Sequence, residues 1–340
     1  MNNFTKADSA SLYGSVHLGH QTYLAQGAIL RSVPEGIAIG HDSAVLENCV
    51  LVGHPELKTT VGRKVVFGHR TFIIGATIGD LCEIGNGCIL MPGSTLGNWC
   101  ILGEGTLIPE GMIVPEYSVV VGRPGRIIRS LTEEDQAMIS RMRGGDISLP
   151  ERADQIVQGF LTEGKPMGKV YSYKNKSPQI AETTFLFDSS EITGDVIIGE
   201  HCVIGAGVKI IGDSHGPVRI GNHVQILENT VLHLLPDNQL ILEDHVIIGP
   251  GCMIHGCEIG ECTVVEPGSI VCDSSKVGKH SIVKAGTLVK QRANFPDYSI
   301  LEGFPAKQND TLTRSPEKPK WTFNFNDLRT LQQDTVEQDA

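Results

Sequence analysis

Aliphatic residues recur at every sixth position over long stretches of this chain. They run Leu18, Leu24 and Leu30, then Ile39, Val45 and Leu51, then Val61, Phe67 and Ile73. The pattern continues at Ile78, Ile84, Leu90, Leu96, Leu102, Ile108, Val114 and Val120. The next residue is often Gly, and the residue four further on is usually small, as at Ser43, Cys49, Thr71, Cys82, Cys88, Ser94, Cys100 and Thr106. Neither the helical period of about 3.6 nor simple strand alternation produces this spacing. Short strands joined by tight turns do, if each hexad forms one face of a triangular coil and three hexads complete one turn of a parallel β-helix. The aliphatic residue then points into a narrow prism and the small residue fits the corner, where bulk would clash. Cys in that position behaves as a small apolar residue.

The pattern stops after "VVVGRPGR" and restarts at Ile198, Ile204 and Ile210, continuing through Ile220, Ile226, Leu232, Leu242, Ile248, Ile254 and Ile259 to Val289. A shift of 181 positions carries Ile39 to Ile220, Leu51 to Leu232, Ile73 to Ile254 and Ile78 to Ile259. Both halves carry the same four-residue insertion, between Leu51 and Val61 and between Leu232 and Leu242. The sequence is therefore a tandem duplication. The expected fold is all-β dominated, two tandem parallel β-helices with a helical linker. The expected domains are 1–128 (first β-helix), 129–180 (helical segment and linker), 181–306 (second β-helix) and 307–340 (acidic tail). Thr132 and Asp135 make a capping box that starts a helix, and "PERADQIVQGFL" reads as a second one. The tail lacks periodicity and either wraps the body or moves freely.

Composition narrows the class further. A net charge of -11 argues against a nucleic-acid partner, which would require a concentrated basic surface. No apolar run is long enough to span a bilayer, and the N-terminal stretch lacks a signal peptide's apolar core. The nine Cys contain no CxxC pair, so a reducing cytoplasm is the expected location.

The candidate chemistry lies in the histidines. His233 directly follows Leu232 and His255 directly follows Ile254, so their separation of 22 is one coil plus the insertion. They should share a face on adjacent strands, about 4.8 Å apart, a spacing suited to two imidazoles converging on one metal ion. Two ligands are too few for a catalytic zinc, which usually has three protein ligands and a water. His17, His20, His41, His201, His223, His245 and His280 fall near turns and read as solvated, and His54 is offset by two from the ligand slot.

These hexads, closing with "VGRPGRIIRSLTEED", resemble the left-handed β-helix proteins of the γ-class carbonic anhydrase-like group, over both repeats. The resemblance implies trimeric packing of β-helices, with two histidines from one β-helix and a third, from a "GH" pair, from its neighbour. On that pattern "IGNHVQILENTVLH" puts His233 at the first ligand position and "IGPGCMIHG" puts His255 at the third, while Pro250 fills the second. In the first half "FGHRTFIIG" puts His69 at the second position, with Val52 and Ile74 at the others. The missing ligand of each half is thus what the other half retains. Arg31 falls at the Arg of the family's Arg-Gly-Asp element, with Val33 in place of the Asp. In the second half Gly212 takes the Arg position, and Asp213 or Ser214 the acidic one. The family's Gln-Asp becomes Leu46-Glu47 and Leu227-Glu228, so the glutamine is absent from both halves.

The implied function is reversible hydration of CO2 by a metal-bound hydroxide, as in a carbonic anhydrase-like lyase (carbonate dehydratase). The metal is zinc, with iron or cobalt as alternatives. His69, His233 and His255 are the ligands, and Glu228, Arg31 and His215 the catalytic candidates, His215 as a proton shuttle. CO2 and bicarbonate are the small-molecule partners, and the assembly is a homo-oligomer with trimer-like packing and unlike halves in contact. Two other readings share the fold: a hexapeptide acyltransferase, and a non-catalytic scaffold derived from a γ-carbonic anhydrase.

Overall fold

The computed structural model describes residues 4–152, 155–159, 168–213, 216–324, 326–328 and 331. The chain forms two compact units, Met1–Phe160 with Phe325–Ala340, and Leu161–Asn324. In each, short strands stack in parallel with the strand one coil away: Thr77 pairs with Thr95, Glu83 with Ile101 and Ile89 with Leu107. The aliphatic residues of the hexads are buried and collect into one core per unit. This is the prism interior that the period of six requires.

The small residues sit at the corners for a reason beyond size. Cys82, Cys88 and Cys100 donate from Sγ to the carbonyls of Gly97, Gly103 and Pro115 at 3.2–3.3 Å, and Thr71 and Thr106 donate from Oγ1 to Gly68 and Gly103. Each corner thereby satisfies carbonyl groups that no strand partner reaches. Burial pushes the thiols of Cys49 and Cys88 up to about 12, so they remain neutral packing groups.

In the second unit the faces are three separate sheets. In the first unit the strand Ile29–Ile39 runs through a corner, pairing with both Val50–Val52 and Thr59–Val61, and so merges two faces into one sheet. Both units end in an antiparallel hairpin, Ser118–Val121 with Arg126–Ser130 and Ser299–Gly303 with Ala306–Thr311. The second hairpin carries β-structure past residue 306 and into the stretch read as tail.

Two segments differ from the sequence reading. The expected second helix is instead a strand, Gln155–Gly159, antiparallel to Ser11–Leu18. The exposed edge of Ser11–Leu18 offers unpaired backbone groups, and its pairing outweighs the weak helical preference of "DQIVQG". Within the expected linker, Lys169–Tyr171 and Gln179–Ile180 pair with Glu191–Gly194 and Val196–Ile198 and build the first coil of the second unit. The helix Glu133–Met142 does form, with the Thr132 and Asp135 side chains capping each other's backbone N–H. The stretch before Asn324 lies against the second unit. Gln225 donates to the Phe323 carbonyl at 2.8 Å and accepts from its N–H at 3.0 Å, and the Phe187 and Phe323 rings pack 5.2 Å apart.

The helix is fixed to the first unit by Arg143, which follows it. Arg143 Nη2 lies 2.5 Å from Glu83 Oε1 with both side chains largely buried, and its guanidinium donates to the Lys64 carbonyl at 2.9–3.0 Å. Burial raises the Glu83 pKa against the lowering pull of Arg143. Arg143→Ala would leave that carboxyl buried without its cation, at a cost of about 3–5 kcal/mol. The expected result is a lower thermal midpoint and faster proteolysis of residues 133–152; an unchanged midpoint would show that the helix is held by other contacts.

Candidate metal centre

Leu232 and Ile254 are fully buried in the prism. Strand alternation therefore turns the following residues, His233 and His255, away from it. The strands Val231–His233 and Met253–His255 pair in parallel with His233 opposite His255. The ring centroids are 5.5 Å apart and nearly perpendicular, at 79°. The spacing of 22 residues does bring these two together on one face.

Each ring meets a carboxylate. His255 Nδ1 lies 3.1 Å from Asp273 Oδ2, and His233 Nε2 lies 3.6 Å from Asp213 Oδ2. Asp273 accepts from the Leu235 N–H at 2.9 Å and from Asn238 Nδ2 at 3.2 Å. Burial alone would raise the Asp273 pKa, but these donors and His255 outweigh it and hold the carboxyl below the usual range. In the first unit His69 Nδ1 lies 2.7 Å from Glu47 Oε2, with both side chains exposed. Its backbone N–H donates to Asn86 Oδ1 at 2.7 Å. A ligating imidazole commonly donates its other ring N–H to a carboxylate, and the Glu47 and Asp273 contacts have that form.

The slots empty of histidine are filled by packing groups. Val52 and Ile74, in register with each other, are buried, as is Pro250. Arg31 is buried on the same register line as Val52, on the strand Ile29–Ile39. Glu228 is also buried, and its carbonyl accepts from Gly251 at 2.8 Å. His215 lies outside the described residues. Register corrects one assignment. Leu30 pairs with Leu51 and Ile210 with Leu232, so the counterpart of Arg31 is Ile211, not Gly212, and the counterpart of Val33 is Asp213. A one-residue difference in loop length before the insertion hid this from the uniform shift of 181.

Asp273 was not among the residues read from sequence. The available signal was its position one coil beyond Gly256, next to the residue opposite His255, in "VCDSS". Among the other histidines, His201, His223 and His245 stack at successive corners with centroids 5.1 and 4.8 Å apart. His41 departs from its expected exposure: it is buried, with Nδ1 at 2.6 Å from Asp42. Among the described residues no three His, Cys, Asp or Glu side chains gather closely enough to hold a metal ion. The donors on the second unit suit zinc in chemistry, but they number two.

Gly256 follows His255 with φ +22°, and a Cβ there would lie 2.1 Å from Asn238 Nδ2 and 2.5 Å from Asp273 Oδ1. Gly256→Ala should therefore displace the groups that hold His255, at a cost of about 1–3 kcal/mol. A thermal melt equal to that of the wild type would contradict this packing.

Comparison with known proteins is consistent with this architecture. Residues 75–110 match the family model for the bacterial transferase hexapeptide (six repeats). A carbonic anhydrase from Geobacillus kaustophilus is 39% identical over 144 residues, which cover 42% of this chain and 79% of the relative. The mitochondrial gamma carbonic anhydrase 2 of Arabidopsis thaliana is 32% identical over 175 residues, 48% of this chain and 62% of the relative. Among solved structures, a hexapeptide transferase family protein from Anaplasma phagocytophilum is 27% identical, with a TM-score of 0.41 over 49% of this chain and 91% of that one.

Proposed function

The chain belongs to the γ-class carbonic anhydrase-like family of hexapeptide-repeat proteins, and from that premise we propose that it hydrates CO2 reversibly at a metal site built from His69, His233 and His255. The observation that carries this reading is how the ligands and their carboxylates are divided. The second unit holds two histidines in register, each beside a carboxylate, and the first unit holds the third against Glu47. The Arg-Gly-Asp element is divided in the same way, with Arg31 in the first half and Asp213 in the second. Neither half alone supplies three ligands. In this reading the assembled protein, a homo-oligomer, brings a first half against a second half, and a trimer-like layer contains both kinds.

Zinc in such a site would act as a Lewis acid that brings the pKa of a coordinated water down toward about 7. The residues of the chain do the rest. Glu47 and Asp273 fix two of the rings so that Nε2 stays free of a proton, and Asp213 restrains the third. Val52 and Ile74, buried where the second half carries its two rings, leave the first half without ligands at those positions. The family glutamine is replaced by Leu46 and Leu227, which removes a hydrogen-bonding group from the site and predicts slower turnover than in relatives that keep it. In this reading Glu228 and His215 take up the proton released from that water.

Metal analysis with a CO2-hydration assay, on wild type beside His69→Ala, tests the reading. Both metal content and activity should fall, and by more than the ~10–100-fold that loss of a supporting residue typically costs. Full metal retention in His69→Ala would overturn the shared ligand set. Metal without CO2 hydration would indicate a different substrate, and metal-free wild type would favour a scaffold or an acyltransferase.

A further inference from the structure

We infer that Asp273 is the positioning residue of His255, fixing the proton on Nδ1 so that Nε2 presents a bare lone pair, and that it ties the 234–239 insertion to that ring. The inference rests on the reading of His255 as a metal ligand, but its first consequence can be measured without metal. A carboxylate only accepts hydrogen bonds, so the contact of 3.1 Å to Oδ2 places the proton on Nδ1. The other oxygen is occupied by Leu235 N–H and Asn238 Nδ2, both from the insertion. Asp273 is thus held from two sides and has little freedom to turn away.

Its place follows from the coil. Val271 pairs with Ile254, so the chain two residues later passes beside His255 one rung away. The first unit provides the internal comparison. It has an insertion of the same length, yet Pro92 stands where Asp273 does and Ile74 where His255 does. That insertion is held by Thr59, which donates from Oγ1 to the Val52 carbonyl at 2.8 Å and accepts from Gly75 N–H at 3.0 Å, and by a bridge between His54 and Leu57. An aspartate is therefore not needed to hold such an insertion. It occurs in the unit that has the ring, and both are absent from the other. Asn238 strengthens the link by donating to the Gly256 carbonyl at 2.6 Å, closing the insertion over the residue that follows His255.

The test is long-range 1H–15N NMR of the histidine rings at pH 8, above the ordinary imidazole pKa of about 6.5, on the metal-free protein, with His255→Ala to assign the signals. Wild type should show His255 as the Nδ1–H tautomer, and Asp273→Asn should shift it toward a mixture with the Nε2–H form. Asn238→Ala, which loosens the insertion but keeps the carboxylate, should leave the tautomer unchanged. In chelator competition with zinc, Asp273→Asn should bind about 10–100-fold more weakly than wild type, and Asn238→Ala within about threefold. A wild-type Nε2–H tautomer, or one unchanged in Asp273→Asn, overturns the inference; if Asp273→Asn fails to fold, the wild-type spectrum alone decides. A tautomer shift in a protein that binds no zinc would uphold the role of Asp273 while removing the reading of His255 as a ligand.

Discussion

Parallel hydrogen bonding between successive coils is the constraint on which the rest of this structure depends. Once a strand is paired with its equivalent one coil earlier, the register of every side chain on that face is set. Residues far apart in sequence become neighbours at strand spacing, and the core, the corners and the histidine pair are consequences of that one rule. The insertion shows its strength. Extra residues at the same point in both units are extruded as a loop, and the strands on either side keep their partners, as Leu232 does with Ile254. The chain gains a choice of loop chemistry without disturbing the lattice of rungs.

That same rule explains what could be read from the sequence. The hexad residues were legible because a periodic core repeats its requirement many times, so that single exceptions do not obscure it. His233 and His255 were legible because their separation is a whole coil plus a visible insertion. Features that depend on one contact rather than on the period were not. The strand Gln155–Gly159 forms because an edge is available to it, and nothing inside "PERADQIVQGFL" announces that edge. The grip of Arg143 on Glu83 depends on a segment returning along the first unit, which spacing does not encode. Asp273 sits in between: its coil position is visible, but its selection over the neighbouring Ser274 or Cys272 needs the geometry of Leu235 and Asn238.

The two units also differ in which equivalent positions carry a ring and which carry a carboxylate. A metal-binding imidazole and its carboxylate are useful only together, because a half-buried carboxylate without its donor carries a desolvation cost. Ile74, where the second half has His255, is accordingly accompanied by Pro92, and the apolar Val52 by Val33. Glu228 departs from that pattern, remaining buried near Pro250, which stands where the first half has His69.

The hairpins that close each unit have a consequence for how such a protein can grow. A bare β-helix end is a template, and one more coil could always be laid on it. Ser118–Val121 and Ser299–Gly303 each fold back on themselves, and the returning strand occupies the hydrogen-bonding groups that another coil would need. Each hairpin therefore caps one face of its unit. The duplication copied a unit entire, cap included, and the chain carries the mark of that event as two similar bodies free to specialise in different directions.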